Sequence, residues 1–132
     1  MSAFLSRLLG GDTPGGRENG DSISWNPLEQ EEQLNTLEAE SYHRPQLIFK
    51  HSTRCGLSGM TLRRFERQWA PARDQAGFHL LDVIGQRGLS QAIAERYALR
   101  HESPQLLIIE SGKLREAASH SGLLGLSLSE NP

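Results

Sequence analysis

The residue best suited to covalent chemistry is Cys55, the one cysteine of the chain. It follows a short apolar run at residues 46–49 that is rich in strand-forming side chains, and it precedes a stripe of side chains that recur at three- and four-residue steps from Ser58 to Trp69. Cys55 is therefore expected near a helix N-terminus, where unpaired backbone N–H groups favour an anion. Because the thiolate is the reactive form of cysteine, the pattern predicts a nucleophilic, redox-active thiol.

Three residues that can carry positive charge stand close to Cys55. Lys50, His51 and Arg54 precede it and are expected to favour the thiolate. Lys50 and Arg54 are also candidates to bind a carboxylate of a small thiol, with solvated surface charges as an equal alternative. His51 is a weaker candidate for an electrostatic role. A lone cysteine is also often an inert buried side chain, and residue type alone leaves that alternative open.

The position three residues after Cys55 decides which redox chemistry is open to it. Residues 55–58, Cys-Gly-Leu-Ser, form a Cys-x-x-Cys motif whose second cysteine is replaced by Ser58. A serine cannot close a disulfide with Cys55. A redox site here must therefore work through mixed disulfides with a partner thiol, by attack of the thiolate on an existing disulfide.

Composition narrows the class of protein. Fourteen basic and sixteen acidic residues give a net charge of −2, and no basic cluster is visible, which argues against nucleic acid as the main partner. A single cysteine excludes a disulfide framework within the chain and is typical of a reducing compartment. No apolar run approaches the roughly 18 residues that a membrane span needs. The sequence predicts a soluble cytoplasmic protein.

The five histidines do not form a metal-binding pattern. Their spacing fits no common set of metal ligands, either with one another or with Cys55. No metal and no tightly bound cofactor is therefore expected. His101 and His120 are predicted to approach the site from a loop and from the last strand, although an ordinary hydrogen-bonded histidine is the more frequent case. The five are His43, His51, His79, His101 and His120.

The chain divides into a flexible N-terminal segment, residues 1–24, and one folded domain, residues 25–132. Residues 1–9 form a short apolar stretch that is expected to be a frayed or weakly docked terminus, and residues 10–21 are a Gly-rich linker. Asn26, Pro27 and Glu29 carry the signature of a helix N-terminus, which predicts a helix from Asn26 to about Ser41.

The rest of the domain alternates strands with helices. The expected elements are a strand at 46–50, a helix after Cys55 that stops before Pro71, a buried strand at 78–84, a helix capped by Ser90, and a hairpin of strands at 106–109 and 113–119. This order predicts an α/β fold: a mixed four-stranded sheet with helices on both faces. Cys55 is expected beyond the carboxyl end of its strand, where sites of parallel units lie.

Three separated motifs resemble the monothiol bacilliredoxin family, whose members belong to the bacillithiol system and have a thioredoxin-like fold. They are residues 49–55 together with Ser58, then residues 101–105, then Ser119 and His120. Residues 84–95 fit the same family, and the resemblance extends over about residues 25–120.

The resemblance implies roles for individual residues. Cys55 matches the nucleophile, Ser58 replaces the resolving cysteine, and Pro104 matches the proline that thioredoxin-like proteins hold in cis. Such a bond exposes the backbone of Ser103 for strand-like pairing with a substrate. Gly56 and Leu57 depart from the family, which usually has proline and isoleucine there.

The implied activity is a thiol–disulfide oxidoreductase that removes bacillithiol, the co-substrate, from S-thiolated client proteins. A monomer is expected. Two alternatives stay open. Cys-Gly-x-Ser also resembles monothiol glutaredoxins, which carry a [2Fe-2S] cluster, although their usual Gly-Gly-x-Asp stretch is absent from this sequence. The third possibility is a thioredoxin-fold binding module in which Cys55 has no turnover.

Overall fold

A five-stranded mixed sheet forms the centre of the protein. A computed structural model of the chain describes residues 22–128. The strands are β1 (Asn26–Pro27), β2 (Gln46–His51), β3 (Gly77–Asp82), β4 (Gln105–Glu110) and β5 (Lys113–Ser119). The α-helices of the described part are α1 (Glu32–Glu40), α2 (Gly56–Trp69) and α3 (Arg87–Arg96), and two 3-10 helices cover Ala70–Ala72 and His120–Gly125.

The strands lie in the order β1-β3-β2-β4-β5. The pairs β1/β3 and β3/β2 are parallel, whereas β2/β4 and β4/β5 are antiparallel. The predicted parallel pair and closing hairpin are therefore confirmed. The ends of the strands matter for the site: His51 at the end of β2 pairs with Asp82 at the end of β3, and Lys50 pairs with Gln105 at the start of β4.

Each face of the sheet carries its own hydrophobic core, because successive strand side chains point to opposite faces. On one face Phe65 and Trp69 of α2 pack against Phe49, Phe78 and the buried Leu123 of the last 3-10 helix. Ile23 belongs to this core. The other face is covered by α1 and α3, whose buried side chains meet those of three central strands: Leu34, Leu37, Leu89 and Ile93 against Ile48, Leu81, Leu107 and Ile109. The predicted helices on both faces are confirmed.

The prediction of four strands and of a helix that starts at Asn26 is wrong. Asn26 and Pro27 pair with His79 and Leu80 of β3, and the N–H of Leu28 donates to the Leu80 carbonyl (2.9 Å). Pro27 has no N–H to lose, which suits it to an edge strand. The helix begins only at Glu32.

Ser90 does not cap α3 as predicted. The helix begins at Arg87, three residues earlier, and the N–H of Ser90 donates to the Gln86 carbonyl (2.9 Å) within it. Residues 87–89, which precede Ser90, are therefore already helical. The other predicted elements are confirmed with shifts of one or two residues at their ends, and α2 stops before Pro71, which lies in the following 3-10 helix.

Two sets of expectations are not tested by these elements. The linker and the short apolar stretch predicted for residues 1–21 lie outside the described residues. The boundary of the folded domain at residue 25 stays a prediction. In residues 22–128 there is no helix with the length and apolar character of a transmembrane segment.

Candidate active site

Cys55 is the N-cap residue of α2. Its backbone is extended (φ −107°, ψ 114°), and its carbonyl accepts the N–H of Gly59 (3.2 Å), which begins the helix. The thiol is free and half-buried. Strand β2 ends at His51, so a turn of three residues delivers Cys55 from the end of the sheet to the positive end of the helix. The sequence prediction for the placement of Cys55 is confirmed.

Ser58 is fully buried in the first turn of α2 and makes two hydrogen bonds. Its Oγ accepts the backbone N–H of Ser52 (3.1 Å) and lies 2.8 Å from Nδ1 of His51. After accepting from Ser52, Oγ still has one lone pair and its O–H, so it pairs with either neutral tautomer of His51. Ser58 thereby holds the turn before Cys55 against the helix. The position of the resolving cysteine in a Cys-x-x-Cys motif is thus held by a serine whose hydroxyl has a structural role.

His51 is not a cation at neutral pH. Burial lowers its pKa below the usual 6.5, and this outweighs the carboxylates of Asp82 and Glu66, which act to raise it. A neutral ring makes the hydrogen bond to Ser58 in either tautomer. His51 therefore contributes a hydrogen bond to the turn, not a positive charge.

Lys50 does not lie beside Cys55, and this part of the predicted cationic cluster is wrong. Strand alternation directs His51 to the α2 face and Lys50 to the α3 face. The Lys50 side chain has no exposed surface, and its Nζ donates to the carbonyl of Ser90 (3.3 Å). It is neither a solvated charge nor a contact for a ligand at Cys55.

The residues directly around the thiol are exposed. Arg54, which precedes Cys55, and Gly56, which follows it, both face solvent. A Cβ added at Gly56 would meet nothing within 4 Å, so no close approach requires glycine there. Leu57 and Met60 are 57% and 54% exposed, which is unusual for large apolar side chains, and as neighbours three residues apart they share one side of α2.

Ser103 and Pro104 lie at the same end of the sheet as Cys55. Pro104 directly precedes Gln105, the partner of Lys50 in β2, while Cys55 follows β2 after a short turn. The bond between Ser103 and Pro104 is cis, as the resemblance implied, and Pro104 is buried with its carbonyl accepting the N–H of His120 (2.8 Å). Cys55 and Pro104, about fifty residues apart in sequence, therefore lie at the same end of the sheet.

The sequence did not predict the contact of His101 with Lys50 and Ser90 at this end of the sheet. His101 Nδ1 lies 3.2 Å from Nζ of Lys50 and 3.0 Å from Oγ of Ser90. Alternation of side chains along β2 could have shown that Lys50 and His51 point to opposite faces of the sheet. No pattern in the sequence pairs Lys50 with His101. In residues 22–128, no group of three or more His, Cys, Asp or Glu side chains is placed to hold a metal ion.

Comparison with known proteins was consistent with this geometry. A family model described as Monothiol bacilliredoxin BrxC matches residues 26–126. Among solved structures, the chain is similar to a proposed oxidoreductase with a thioredoxin fold, at 27% identity, a TM-score of 0.65, and coverage of 74% of this chain and 83% of that one. It is also similar in fold to a thioredoxin of Malassezia sympodialis (21% identity, TM-score 0.61, coverage 78% and 87%) and to thioredoxin f of spinach chloroplasts (14%, 0.60, 80% and 91%).

Proposed function

Because the chain belongs to the monothiol bacilliredoxin family, a group of thiol redox proteins with a thioredoxin fold, we propose that it removes bacillithiol from S-thiolated client proteins through a mixed disulfide on Cys55. The client and the small thiol are its partners, and bacillithiol is a co-substrate, not a resident cofactor. The reaction needs a reduced Cys55, so we place the protein in the reducing cytoplasm.

The proposed reaction is one disulfide exchange. The Cys55 thiolate attacks the bacillithiol sulfur of the client mixed disulfide, a new S–S bond joins Cys55 to bacillithiol, and the client sulfur leaves as a thiolate that takes up a proton. The number of disulfide bonds is unchanged. A second thiol from solution then attacks the bacillithiol sulfur of this disulfide, so that a new S–S bond joins that thiol to bacillithiol and Cys55 leaves as a thiolate.

One observation supports this function above the others: the half-buried thiol at the start of α2 has a hydrogen-bonded serine where a resolving cysteine would stand. A thiol-based reaction at Cys55 therefore leaves the small thiol attached until another molecule removes it. Cys55 stands at the N-terminal end of α2, a position where backbone N–H groups and the helix dipole generally favour an anion.

The surface near Cys55 suits a protein as the substrate. Leu57 and Met60 expose apolar surface on the first two turns of α2, which a client side chain can cover. Arg54 is exposed next to the thiol and is the remaining candidate of the predicted cations to bind a carboxylate of the small thiol.

The test uses a model protein that carries one bacillithiol as a mixed disulfide. Wild type should release the small thiol, and Cys55→Ala should abolish that release, because no other thiol in the chain can attack. The exposed-residue variant Ser121→Ala is the matched control and should keep the wild-type rate. Release by Cys55→Ala at the original rate would disprove the catalytic role of Cys55. A brown dimeric protein on purification would favour the cluster carrier instead.

A further inference from the structure

Three side chains from three different elements meet at the loop that carries Ser103 and Pro104. Lys50 comes from the end of β2, Ser90 from α3, and His101 from the loop between α3 and β4. Nζ of Lys50 and Oγ of Ser90 lie 3.2 Å and 3.0 Å from the same imidazole nitrogen, Nδ1 of His101. Lys50 and Ser90 are buried, whereas His101 borders a cavity of about 310 Å³ on the α3 side.

The chemistry of the three groups fixes the state of His101. A charged lysine has only donors, so Nδ1 of His101 must be the acceptor of its hydrogen bond and cannot carry a proton. The Ser90 hydroxyl donates to the same nitrogen. The neutral ring with its proton on Nε2 is therefore the form that this arrangement requires.

The loop itself has few other attachments. The Arg100 carbonyl accepts Nε2 of Gln105 (3.1 Å), and the Pro104 carbonyl accepts the N–H of His120 (2.8 Å). Ser103 lies between them, partly exposed, and within the described chain its backbone N–H and C=O make no hydrogen bond. A backbone left unpaired at the end of a sheet is available to pair with an extended peptide.

We propose that His101 is a positioning residue for the client: its contact with Lys50 and Ser90 holds the loop so that the backbone of Ser103 pairs with a peptide bound at Cys55. This inference rests on the proposed function, because it concerns how the client of that reaction binds. His101 does not touch the reacting sulfur atoms. Its effect reaches them only through the position of the loop.

Acid should release this contact, because a proton on Nδ1 removes the acceptor that Lys50 and Ser90 need. Burial, followed by the nearby charge of Lys50, lowers the pKa of His101 from its usual 6.5, while the carboxylate of Glu102 acts in the opposite direction. Arg87 of α3 borders the same cavity and adds a further positive charge. The transition should therefore lie below pH 6.5.

The test compares His101→Ala with His101→Asn. Asparagine places an amide oxygen near the position of Nδ1 and can accept from both Lys50 and Ser90, whereas alanine cannot. The exposed histidine variant His43→Asn is the matched control. Two substrates are used for each protein: a model protein carrying bacillithiol and a small aromatic disulfide, 5,5′-dithiobis(2-nitrobenzoate), which needs no backbone pairing.

His101→Ala should raise KM for the protein substrate by about tenfold, the expected scale for loss of a hydrogen bond to a charged group, and leave kcat and the rate with the aromatic disulfide unchanged. His101→Asn should restore KM and remove the rise in KM that wild type shows below pH 6.5. Equal losses with both substrates, or failure of asparagine to restore KM, would overturn the inference.

A readout that does not depend on bacillithiol separates this inference from the proposed function. Amide hydrogen exchange in residues 101–103 should become faster in His101→Ala and return to the wild-type rate in His101→Asn. If wild type releases no bacillithiol, the proposed function fails. In that case the loop contact is judged by exchange rates and by KM for a glutathionylated protein, and unchanged values in His101→Ala would refute it.

Discussion

Lys50 is a lysine whose whole side chain is enclosed by protein. Burial lowers its pKa from 10.5 to about 8, because the charged amine has lost most of its hydration and has in return the Ser90 carbonyl and His101. The amine is still charged at pH 7. A buried charge of this kind is a cost to stability that alkali relieves.

The free energy of unfolding should therefore rise in mild alkali. Below pH 8 the folded and unfolded states both hold the proton of Lys50, and between pH 8 and pH 10.5 the unfolded state holds more of it, so stability increases with pH in that window. The whole increase from this residue should be roughly 3 kcal/mol. Lys50→Met, which has no titrating group there, should lack it.

Urea unfolding at pH 7.5 and pH 10 checks this prediction for Lys50. Lys113, the only other lysine, is exposed, and Lys113→Met is the matched control that should keep the wild-type increase. The same increase in Lys50→Met as in wild type would contradict a buried amine with a lowered pKa.

At this scale the sequence predicted where the nucleophile lies but not which charges accompany it. The strand before Cys55 and the helix after it are both set by local apolar patterns, so Cys55 and Ser58 fall where expected. Lys50 was misplaced because a fully buried lysine is rare, and its neighbours in sequence suggested a solvated cation. The partners that make its burial tolerable, Ser90 and His101, are forty or more positions away.

The start of α2 offers a test of one element. Gly56 is its first helical residue, and a side chain there would contact nothing, so Gly56→Ala loses no contact and reduces the freedom of the unfolded chain. We expect an increase in the free energy of unfolding of about 0.5–1 kcal/mol, measured by thermal or urea unfolding.

Gly112 is the matched control for Gly56. Its φ of +79° suits glycine alone, and an added Cβ would collide with the hydroxyl of Tyr42, so Gly112→Ala should destabilise the protein. A destabilising Gly56→Ala would mean that α2 begins differently from the geometry described.

A chain of side-chain hydrogen bonds joins strand β1 to the rest of the sheet. Nδ2 of Asn26 lies 3.0 Å from Nδ1 of His79, and Nε2 of His79 lies 2.7 Å from Oε1 of Gln46 in β2. Both contacts are satisfied by a neutral His79 that donates from Nε2. Burial, and then the charge of Arg44, lowers the pKa of His79 to about 4.

The protein should lose stability in acid through this histidine. Above pH 6.5 neither state binds its proton, and between pH 6.5 and about 4 the unfolded state binds more protons than the folded state, so the free energy of unfolding falls as the pH falls. The loss from His79 should be roughly 3 kcal/mol. His79→Gln should show a smaller acid loss than wild type.

The exposed residue His43 provides the control for this measurement, since His43→Gln should retain the full acid loss. His51 and His101 also have lowered pKa values, so some acid loss should remain in His79→Gln. An acid loss in His79→Gln equal to that of wild type would contradict a neutral, buried His79 that bonds Asn26 and Gln46.

The hydrogen bonds of Asn26 and His79 also explain why the sequence wrongly predicted a helix from Asn26. Asn26, Pro27 and Glu29 satisfy the local rules for a helix N-terminus, and those rules are worth about 1 kcal/mol each. Pairing with β3 and the contact with His79 depend on residues more than fifty positions away. Pairing with β3 therefore outweighs the local preference for a helix, and no pattern in the sequence shows this pairing.

For the whole molecule, the arrangement of strands is what creates a site. Strand β2 pairs in parallel with β3 and antiparallel with β4. The end of β2 and the start of β4 therefore lie at the same end of the sheet. Cys55, the partly exposed Ser103 and the apolar residues Leu57 and Met60 belong to that part of the surface. The alternation of strands and helices in the sequence predicted that Cys55 lies beyond the end of β2. The position of Pro104 at the same end of the sheet was implied only by the family resemblance. The expected monomer stays a prediction.

The most direct test of the account is the intact mass of the protein after brief incubation with a bacillithiolated model protein. Glutathionylated protein is run in parallel, and Cys55→Ser is the control. We predict one bacillithiol added to wild type at Cys55, a client that has lost the same group, and no adduct on Cys55→Ser. A wild-type mass that stays unmodified while the client keeps its bacillithiol would contradict the central claim that Cys55 takes up the small thiol.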